Sequence, residues 1–433
     1  MKLSSKDEKY FRLNGSAPLI KGKNRSAIYN LGTGDIIHLT PKKSAILETA
    51  QQNKTIMKIV RALGIKASTV KDSLKNIADR DMGKFYRTPT YIENFKKGWA
   101  KSRNTSVGPT RISQAFVRLT NDCKSECKYC SFPRLYSCLS CTRKDVKDRE
   151  VNFNSDMVFN FLTKLTQMPL DTIVFHGGDP LLKRDRLITM IEFCRNKGFS
   201  REISFITNGT LLNHAPVDIF RKYNVHPIIT FFSRQNKGIT KEKLVTIGKR
   251  LMNKGVEFTV TLTYFAEGNC IDAVENLKNN FLLKEGIQTQ QSVIMNNGPF
   301  LSKKVYEILV PQLFRVTPDL FLHNKLFHPC LDKSISLEMD GSLSSCPFLP
   351  SEALINIRDS RAISRMFESN GIFEHWRLNL SKVEKCRHCE FRYGCIDCRA
   401  LGKTLTSNLY GKNLCLGKSK TKGGDSKLAY RES

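Results

Sequence analysis

The chain has 433 residues, 40% hydrophobic and 25% charged, enough apolar content for a globular protein of roughly two to four domains. Seventy Lys and Arg against 40 Asp and Glu give a net charge of +30, which calls for an acidic partner: nucleic acid, an acidic peptide or a membrane surface. The opening MKLSSKDEKYFRLNG lacks an apolar signal core, and no run of about 18 apolar residues occurs. A secretory signal and a membrane span are therefore not expected, and a reducing, cytoplasmic setting is, in which the 14 cysteines read as metal ligands.

In chain order, residues 1–95 read as a first unit. SAIYNLGTGDIIHLT has two β-prone runs around Gly32-Thr33-Gly34 and predicts a hairpin. Three short helices follow: one around Ala45–Ala50, one with Ile56, Ile59, Val60 and Leu63 on a face, and one with Val70, Leu74 and Ile77 at helical spacing. A hairpin with three helices outlines a small winged-helix-like domain. Through residue 112 the chain holds 23 Lys/Arg and 8 Asp/Glu, half the net charge in a quarter of the length. Residues 96–112 carry charge, Gly, Pro and Ser without periodicity and read as a basic linker.

From 113 to 322 strands alternate with helices. Candidate strands are Ala115–Leu119, Thr172–Phe175, Glu202–Ile206, Pro227–Phe232, Phe258–Thr263 and Thr289–Ile294. Ser155 is the expected N-cap of a helix whose Val158, Phe161, Leu162 and Leu165 share one face. Six such units predict an α/β fold, a parallel sheet curled into a partial (β/α)6 TIM-type barrel, with chemistry at the C-terminal strand ends. Residues 323–416 are cysteine-dense and loop-rich, and 417–433 are expected to be disordered.

Directly after the first barrel strand comes LTNDCKSECKYC, with Cys123, Cys127 and Cys130 spaced x3 then x2. Three thiolates on one short loop suit three corners of a cubane cluster whose fourth iron stays open. A zinc site short of one ligand, or three unrelated thiols, fits the spacing too. The next two strands run into VFHGGDPLL and SFITNGTLL, where Gly177 and Gly178 admit close backbone approach and Asp179 offers a carboxylate. The C-terminal cysteines are Cys330, Cys346, the run Cys386-x2-Cys389-x5-Cys395-x2-Cys398, and Cys415; the run alone also reads as a zinc knuckle. Cys138 and Cys141, in LYSCLSC, either complete a site or are free thiols, the simpler reading. Cys194 lies in a helical pattern and reads as core.

With these motifs the chain resembles the radical S-adenosylmethionine (SAM) enzymes, whose signature is the Cys-x3-Cys-x2-Cys loop and whose GGEP motif GGDP resembles. The resemblance implies that the open iron chelates SAM. Gly177, Gly178 and Asp179 would hold its amino group, Tyr129 would lie beside the adenine, and Ser204, Thr207 and Asn208 would meet its ribose and methionine parts. The C-terminal cysteines resemble the seven-cysteine SPASM domain, departing from it in the last spacing of the run. That implies two auxiliary clusters, one at Cys330, Cys346 and Cys398, the other at Cys386, Cys389, Cys395 and Cys415, for three [4Fe–4S] clusters in all. The first auxiliary cluster is one ligand short, because Asn324 stands where some relatives have cysteine; His323, His328 or an outlying thiol are candidates. The N-terminal unit resembles the peptide-recognition domain of ribosomal-peptide maturases, in which a leader peptide adds as a strand beside the hairpin. Lys21, Lys23, Arg25, Lys42 and Lys43 would suit an acidic leader.

Taken together, the resemblance implies an oxidoreductase that modifies a ribosomally made precursor peptide. An electron from a flavodoxin- or ferredoxin-type donor would cleave SAM, and the 5′-deoxyadenosyl radical would take hydrogen from a core residue and install a thioether, carbon–carbon or ether crosslink. No catalytic side chain is assigned. An anaerobic sulfatase maturase shares barrel and SPASM domain, but Pro347 stands where that branch has an aspartate base. A nucleic-acid-modifying enzyme is the third reading, and no aromatic stacking motif among the basic residues supports it.

Overall fold

The structure, a computed structural model, describes residues 9–93, 111–125, 127–135, 138, 140–141, 153–232, 239–295, 301–313, 315–358, 361, 365, 371–395, 397–412 and 414–415. The expected tail over 417–433, and most of the expected linker over 96–112, lie outside the described residues.

The N-terminal unit has five short strands: β1 (Tyr10–Leu13), β2 (Leu19–Lys21), β3 (Ser26–Tyr29), β4 (Ile36–Leu39) and, after three helices, β5 (Gly83–Tyr86). The predicted hairpin is β3–β4, paired antiparallel from Ser26↔Leu39 to Tyr29↔Ile36, and β2 covers the other edge of β3. β1 pairs with β5. The helices are Pro41–Ala50, Ile56–Leu63 and Ala67–Ala78. The middle one starts where the Thr55 hydroxyl accepts from Lys58 N–H at 3.3 Å and stops at Gly64, whose φ of 62° suits a residue with no Cβ. Phe11, Ile28, Leu39, Ile46, Leu47, Ile59, Val70 and Leu74 make this unit's own core.

The sheet's other face packs on the C-terminal region. Ile20, Ala27, Tyr29 and Leu31 meet Val316, Phe321 and Phe391, and the Tyr29 hydroxyl donates to the Glu390 carbonyl at 2.9 Å. Glu390 also pairs with Arg25 at 3.3 Å, while Lys21 pairs with Glu48 at 2.7 Å. Two of the five lysines and arginines expected to face a leader are thus held by carboxylates of this chain. Lys23 and Lys42 are exposed.

The central sheet is built on six parallel strands: β6 (Ile112–Thr120), β8 (Leu170–Gly177), β9 (Glu202–Thr207), β10 (Val225–Phe232), β11 (Thr259–Phe265) and β12 (Gln288–Ile294), neighbours in that order. Five of the six predicted barrel strands fall within them, and the other, Phe258–Thr263, starts one residue before β11. Between β6 and β8 the two-residue β7 (Arg134–Leu135) pairs antiparallel with the far edge, β12. At the opposite edge β13 (Ser334–Leu337) runs parallel to β6 and extends into β14 (Ser342–Ser344) and β15 (Ile355–Asn356), so the cysteine-rich region continues the barrel sheet.

These strands are apolar on both faces, as buried parallel strands must be. Ala115, Val117, Ile173, Phe175, Ile203, Phe205, Ile229 and Phe231 meet the helices outside. Cys194, fully buried on the helix Arg184–Asn196, belongs to this layer as core. Phe116, Val174, Ile206 and Ile228 face the inner side and pack against Cys138 and Cys141. One correction concerns a helix start. The N-cap of Ser155–Thr166 is Asn154, whose side-chain oxygen accepts from Met157 N–H at 2.9 Å, and Ser155 is the first helical residue. Asn154 has the extended backbone that a cap needs, one residue earlier than the sequence pattern suggested. Among the described residues no helix is long and apolar enough to cross a membrane.

Candidate active site

The C-terminal ends of the strands build the site. β6 ends at Thr120 and leads straight into the loop of Cys123, Cys127 and Cys130, which folds on itself through Cys127 N–H to Ser125 O at 2.7 Å and Cys130 N–H to Cys127 O at 3.2 Å. The adjacent end of β8 lies against this loop. Gly178 N–H donates to Thr120 O at 2.9 Å and Asp179 N–H to Asp122 O at 2.8 Å. A Cβ on Gly177, whose φ is 140°, would sit 2.0 Å from Thr120 O, and one on Gly178 would sit 2.0 Å from Asp122 O. Only glycine allows the two strand ends to meet so closely.

Asp179 is 1% exposed. Its carboxylate accepts from Leu181 N–H at 3.1 Å and from the Thr207 hydroxyl at 3.0 Å, tying the end of β8 to the end of β9. Burial pushes its pKa up to about 6, against the pull of Leu181, Thr207 and Asn208. Asn208 donates from Nδ2 to the Cys123 sulfur at 3.4 Å; its Oδ1 is claimed by the Thr210 N–H and hydroxyl, which fixes the amide's orientation. Tyr129 stands edge-on to Phe132 and Phe265, with ring centroids 5.7 and 4.7 Å away, beside Phe232 and Ile294 at the ends of β10 and β12.

The structure therefore brings Cys123, Cys127, Cys130, Tyr129, Gly177, Gly178, Asp179, Thr207 and Asn208 to one end of the sheet. It does not bring Ser204 there. Ser204 lies in the N-terminal half of β9, where its hydroxyl donates to Glu202 at 2.6 Å. Its polarity drew attention in the sequence, but height along a strand is set by register.

Burial first, and then the neighbouring Cys141, Cys130 and Cys123, push the Cys127 thiol up to about 12. Thiols that resist ionising together are what an iron cluster, by supplying positive charge, would reverse. Among the described residues no group of three or more His, Cys, Asp or Glu is arranged for a single metal ion.

The Radical SAM superfamily profile matches residues 117–277, from within β6 through the cysteine loop, both glycines, Asp179 and Asn208. Residues 117–277 are thus similar to a radical SAM domain. Such a domain implies SAM and one [4Fe–4S] cluster. Among curated proteins the chain is 23% identical over 159 residues to the radical SAM cyclopropyl synthase TigE of Paramaledivibacter caminithermalis, covering 35% of this chain and 34% of that protein. It is 29% identical over 108 residues to a probable GTP 3′,8-cyclase of Halobacterium salinarum, covering 25% and 28%. The matches thus span about a third or less of these relatives' length. Among solved structures, native anSMEcpe with bound AdoMet superposes with a TM-score of 0.52 at 15% identity, over 69% of this chain and 93% of that one, and its complex with AdoMet and the Cp18Cys peptide with 0.51 at 15%, over 70% and 93%. At such identity the likeness shows the fold.

Around the radical SAM domain the other cysteines sort into two groups. Cys386, Cys389 and Cys395 pack together, and Cys415 lies within electrostatic reach of all three. Cys330, Cys346 and Cys398 form the other group, joined by Cys138. Between the groups lies a buried charge network. His328 meets Asp397 at 3.2 Å, Asp397 pairs with Arg399 and, at 3.3 Å, with Lys412, and Lys412 Nζ donates to the Cys395 sulfur at 3.7 Å. Burial would raise the Asp397 pKa, but Lys412, His328 and Arg399 together hold it well below the usual carboxylate range.

Two residues escaped the sequence reading. Arg134, buried on β7, donates to the carbonyls of Cys141 at 2.8 Å and Tyr129 at 3.2 Å and lies 5.4 Å over the Phe232 ring. It fastens the cluster loop to the segment that follows. Glu338, just past β13, forms a buried ion pair with Arg118 of β6 at 2.6 Å. Neither stands in a motif; an unpaired-looking charge in an apolar strand, Arg118 in AFVRLT, was the available signal.

Proposed function

We propose that the protein is a radical SAM maturase of a ribosomally made peptide. The meeting of the Cys123–Cys130 loop with Gly177, Gly178, Asp179 and Asn208 at the C-terminal strand ends, together with two further cysteine groups and a sheet-bearing unit packed on the C-terminal region, supports this reading best. Cys123, Cys127 and Cys130 hold the SAM-binding cluster, and the acceptor groups at Gly177–Asp179 suit the N–H groups of SAM's amino function. Tyr129 flanks the adenine, Thr207 braces Asp179, and Asn208 donates to a cluster thiolate, the kind of outer contact that tunes such a site. When bound, the cluster and SAM supply the electron and the radical chemistry; the chain orients the reactants and excludes water and oxygen. The C-terminal groups hold auxiliary clusters whose thiolate charge Lys412 and Arg399 offset.

The three-stranded sheet of the N-terminal unit has two outer strands, β2 and β4. The C-terminal region already engages the β2 end, since Arg392 donates to Lys21 O at 2.9 Å and Lys23 N–H to His388 O at 3.0 Å. A leader peptide then adds along β4, opposite the pairing with β3. A sulfatase-maturase-like role has the shared fold in its favour, but Pro347 supplies no base. The test is anaerobic incubation of the holoprotein with SAM, a reductant and the short peptide encoded beside its gene. Formation of 5′-deoxyadenosine with a peptide mass loss matching removal of a hydrogen pair is expected. Modification of RNA but of no peptide would overturn the reading.

A further inference from the structure

We propose that Cys138, from the barrel's own cysteine loop segment, is the fourth protein ligand of the auxiliary cluster at Cys330, Cys346 and Cys398. The inference rests on the auxiliary-cluster reading and supplies what that reading lacks.

The Cys330 and Cys346 side chains lie beside the Cys138 sulfur and interact with it electrostatically, and Cys398 is within electrostatic reach. Four sulfurs thus converge from four places in the fold: the segment after β7, the turn before β13, the turn after β14, and the residue preceding the helix Arg399–Thr406. The segment carrying Cys138 is held on both sides. β7 is paired to β12, and Cys141 N–H donates to the Thr230 hydroxyl at 3.0 Å while its carbonyl takes the Arg134 guanidinium. Arg134 links the two ends again, because its carbonyl lies 3.9 Å from the Cys398 sulfur. Cys138 therefore sits on the inner face of the sheet, against Phe116, Val174, Ile206 and Ile228, where a thiol has few other uses.

The competing candidates have other partners. His328 is fully buried with both ring nitrogens engaged: Nδ1 receives the N–H groups of Cys330 and Leu331 at 3.2 Å, and Nε2 meets Asp397. His323 Nε2 pairs with Asp332 at 3.0 Å. Asn324, which occupies the position of the missing cysteine, donates its amide to Tyr393 O at 2.8 Å. Cys141 is three residues from Cys138 but lies with the other group, near Cys127, Cys130 and Cys123. Binding at Cys138 exchanges its thiol proton for an iron–sulfur bond, with no redox step.

The test uses the full chain with clusters reconstituted anaerobically and SAM present in excess, so that the open iron of the SAM-binding cluster is capped. Iron content and the electron paramagnetic resonance of the reduced protein are measured with and without cyanide. Wild-type protein should hold about twelve irons, four per cubane, with an auxiliary signal that cyanide leaves unchanged. Cys138→Ala should show a cyanide-sensitive auxiliary signal and, on mild oxidation, lose about one iron with a three-iron signal appearing. Cys138→Ser, which keeps an oxygen donor, should hold its iron with a shifted spectrum. Retained SAM binding in each variant shows that the barrel is folded. The proposal is overturned if Cys138→Ala matches wild type, or if Cys141→Ala produces the change instead. If Cys398→Ala also matches wild type, the auxiliary cluster itself is absent, and the failure lies with the reading beneath.

Discussion

The loop segment from Cys123 to Cys141 meets two cysteine groups of opposite construction. Its first half is self-contained: three cysteines within eight residues, folded by hydrogen bonds among themselves and braced by Asn208. Its second half enters a group whose other members lie about two hundred or more residues away in Cys330, Cys346 and Cys398. A local group closes a small loop and needs little tertiary help, whereas a dispersed one bears the chain entropy of bringing remote segments together. That difference assigns different consequences to their loss. Breaking the local group should silence SAM chemistry and spare the fold; breaking the dispersed one should loosen the joint between barrel and C-terminal region, which β6–β13 pairing and the buried Arg118–Glu338 ion pair at 2.6 Å also hold.

The largest expected effect follows from the local group. Replacing Cys123, Cys127 and Cys130 together by Ala should abolish 5′-deoxyadenosine formation, with circular dichroism and thermal melting close to wild type. A collapsed melt would erase the contrast with the dispersed group.

Next in size is Gly178→Ala. The added methyl would meet backbone atoms, Asp122 O at 2.0 Å and Asp122 C at 2.5 Å, which cannot swing aside as a flexible side chain would. SAM affinity by equilibrium dialysis should fall roughly tenfold or more, about 1.4 kcal/mol or beyond, with the iron of the local group retained. Unchanged affinity would show that the strand ends do not form the cradle.

A smaller effect depends on pH. Asp179 accepts hydrogen bonds as a carboxylate, and its pKa, raised by burial, lies at about 6. The N–H groups of SAM's amino function need the ionised carboxylate as acceptor, so SAM affinity should be constant above that value and weaken about tenfold per pH unit below it. Asp179→Asn should bind weakly with no such slope. A wild-type profile flat from pH 5 to 8 would remove Asp179 from the SAM contacts. The smallest effect is expected for Asn208→Ala, which deletes the amide donor to the Cys123 sulfur and should lower the reduction potential of the local cluster, read by redox titration, without changing its iron content.

Much of this arrangement is legible in the sequence for the same reason that the local group is. The six parallel strands are long, β-branched and aromatic runs, and the cysteine loop and glycine pair follow them at once. Segments such as YFRL, LIK and RL are too short for periodicity, so β1, β2 and β7 were invisible, although β7 positions Arg134. Ser204 has the right chemistry at the wrong height in its strand. Lys21 and Arg25 read as an open basic face because their partners, Glu48 and Glu390, stand 27 and 365 residues further along. Spacing reports ligands that share a loop; it carries no information on Cys138, whose place depends on β7 reaching across to β12.

The central claim, that the cysteine groups are cluster sites of separable function, is tested most directly by iron and zinc analysis of anaerobically isolated protein beside the variant lacking Cys123, Cys127 and Cys130. The account predicts about twelve irons in the wild type and about eight in the variant, four per cubane, with no stoichiometric zinc in either. Zinc bound at the C-terminal cysteines, with iron confined to the loop after β6, would contradict it.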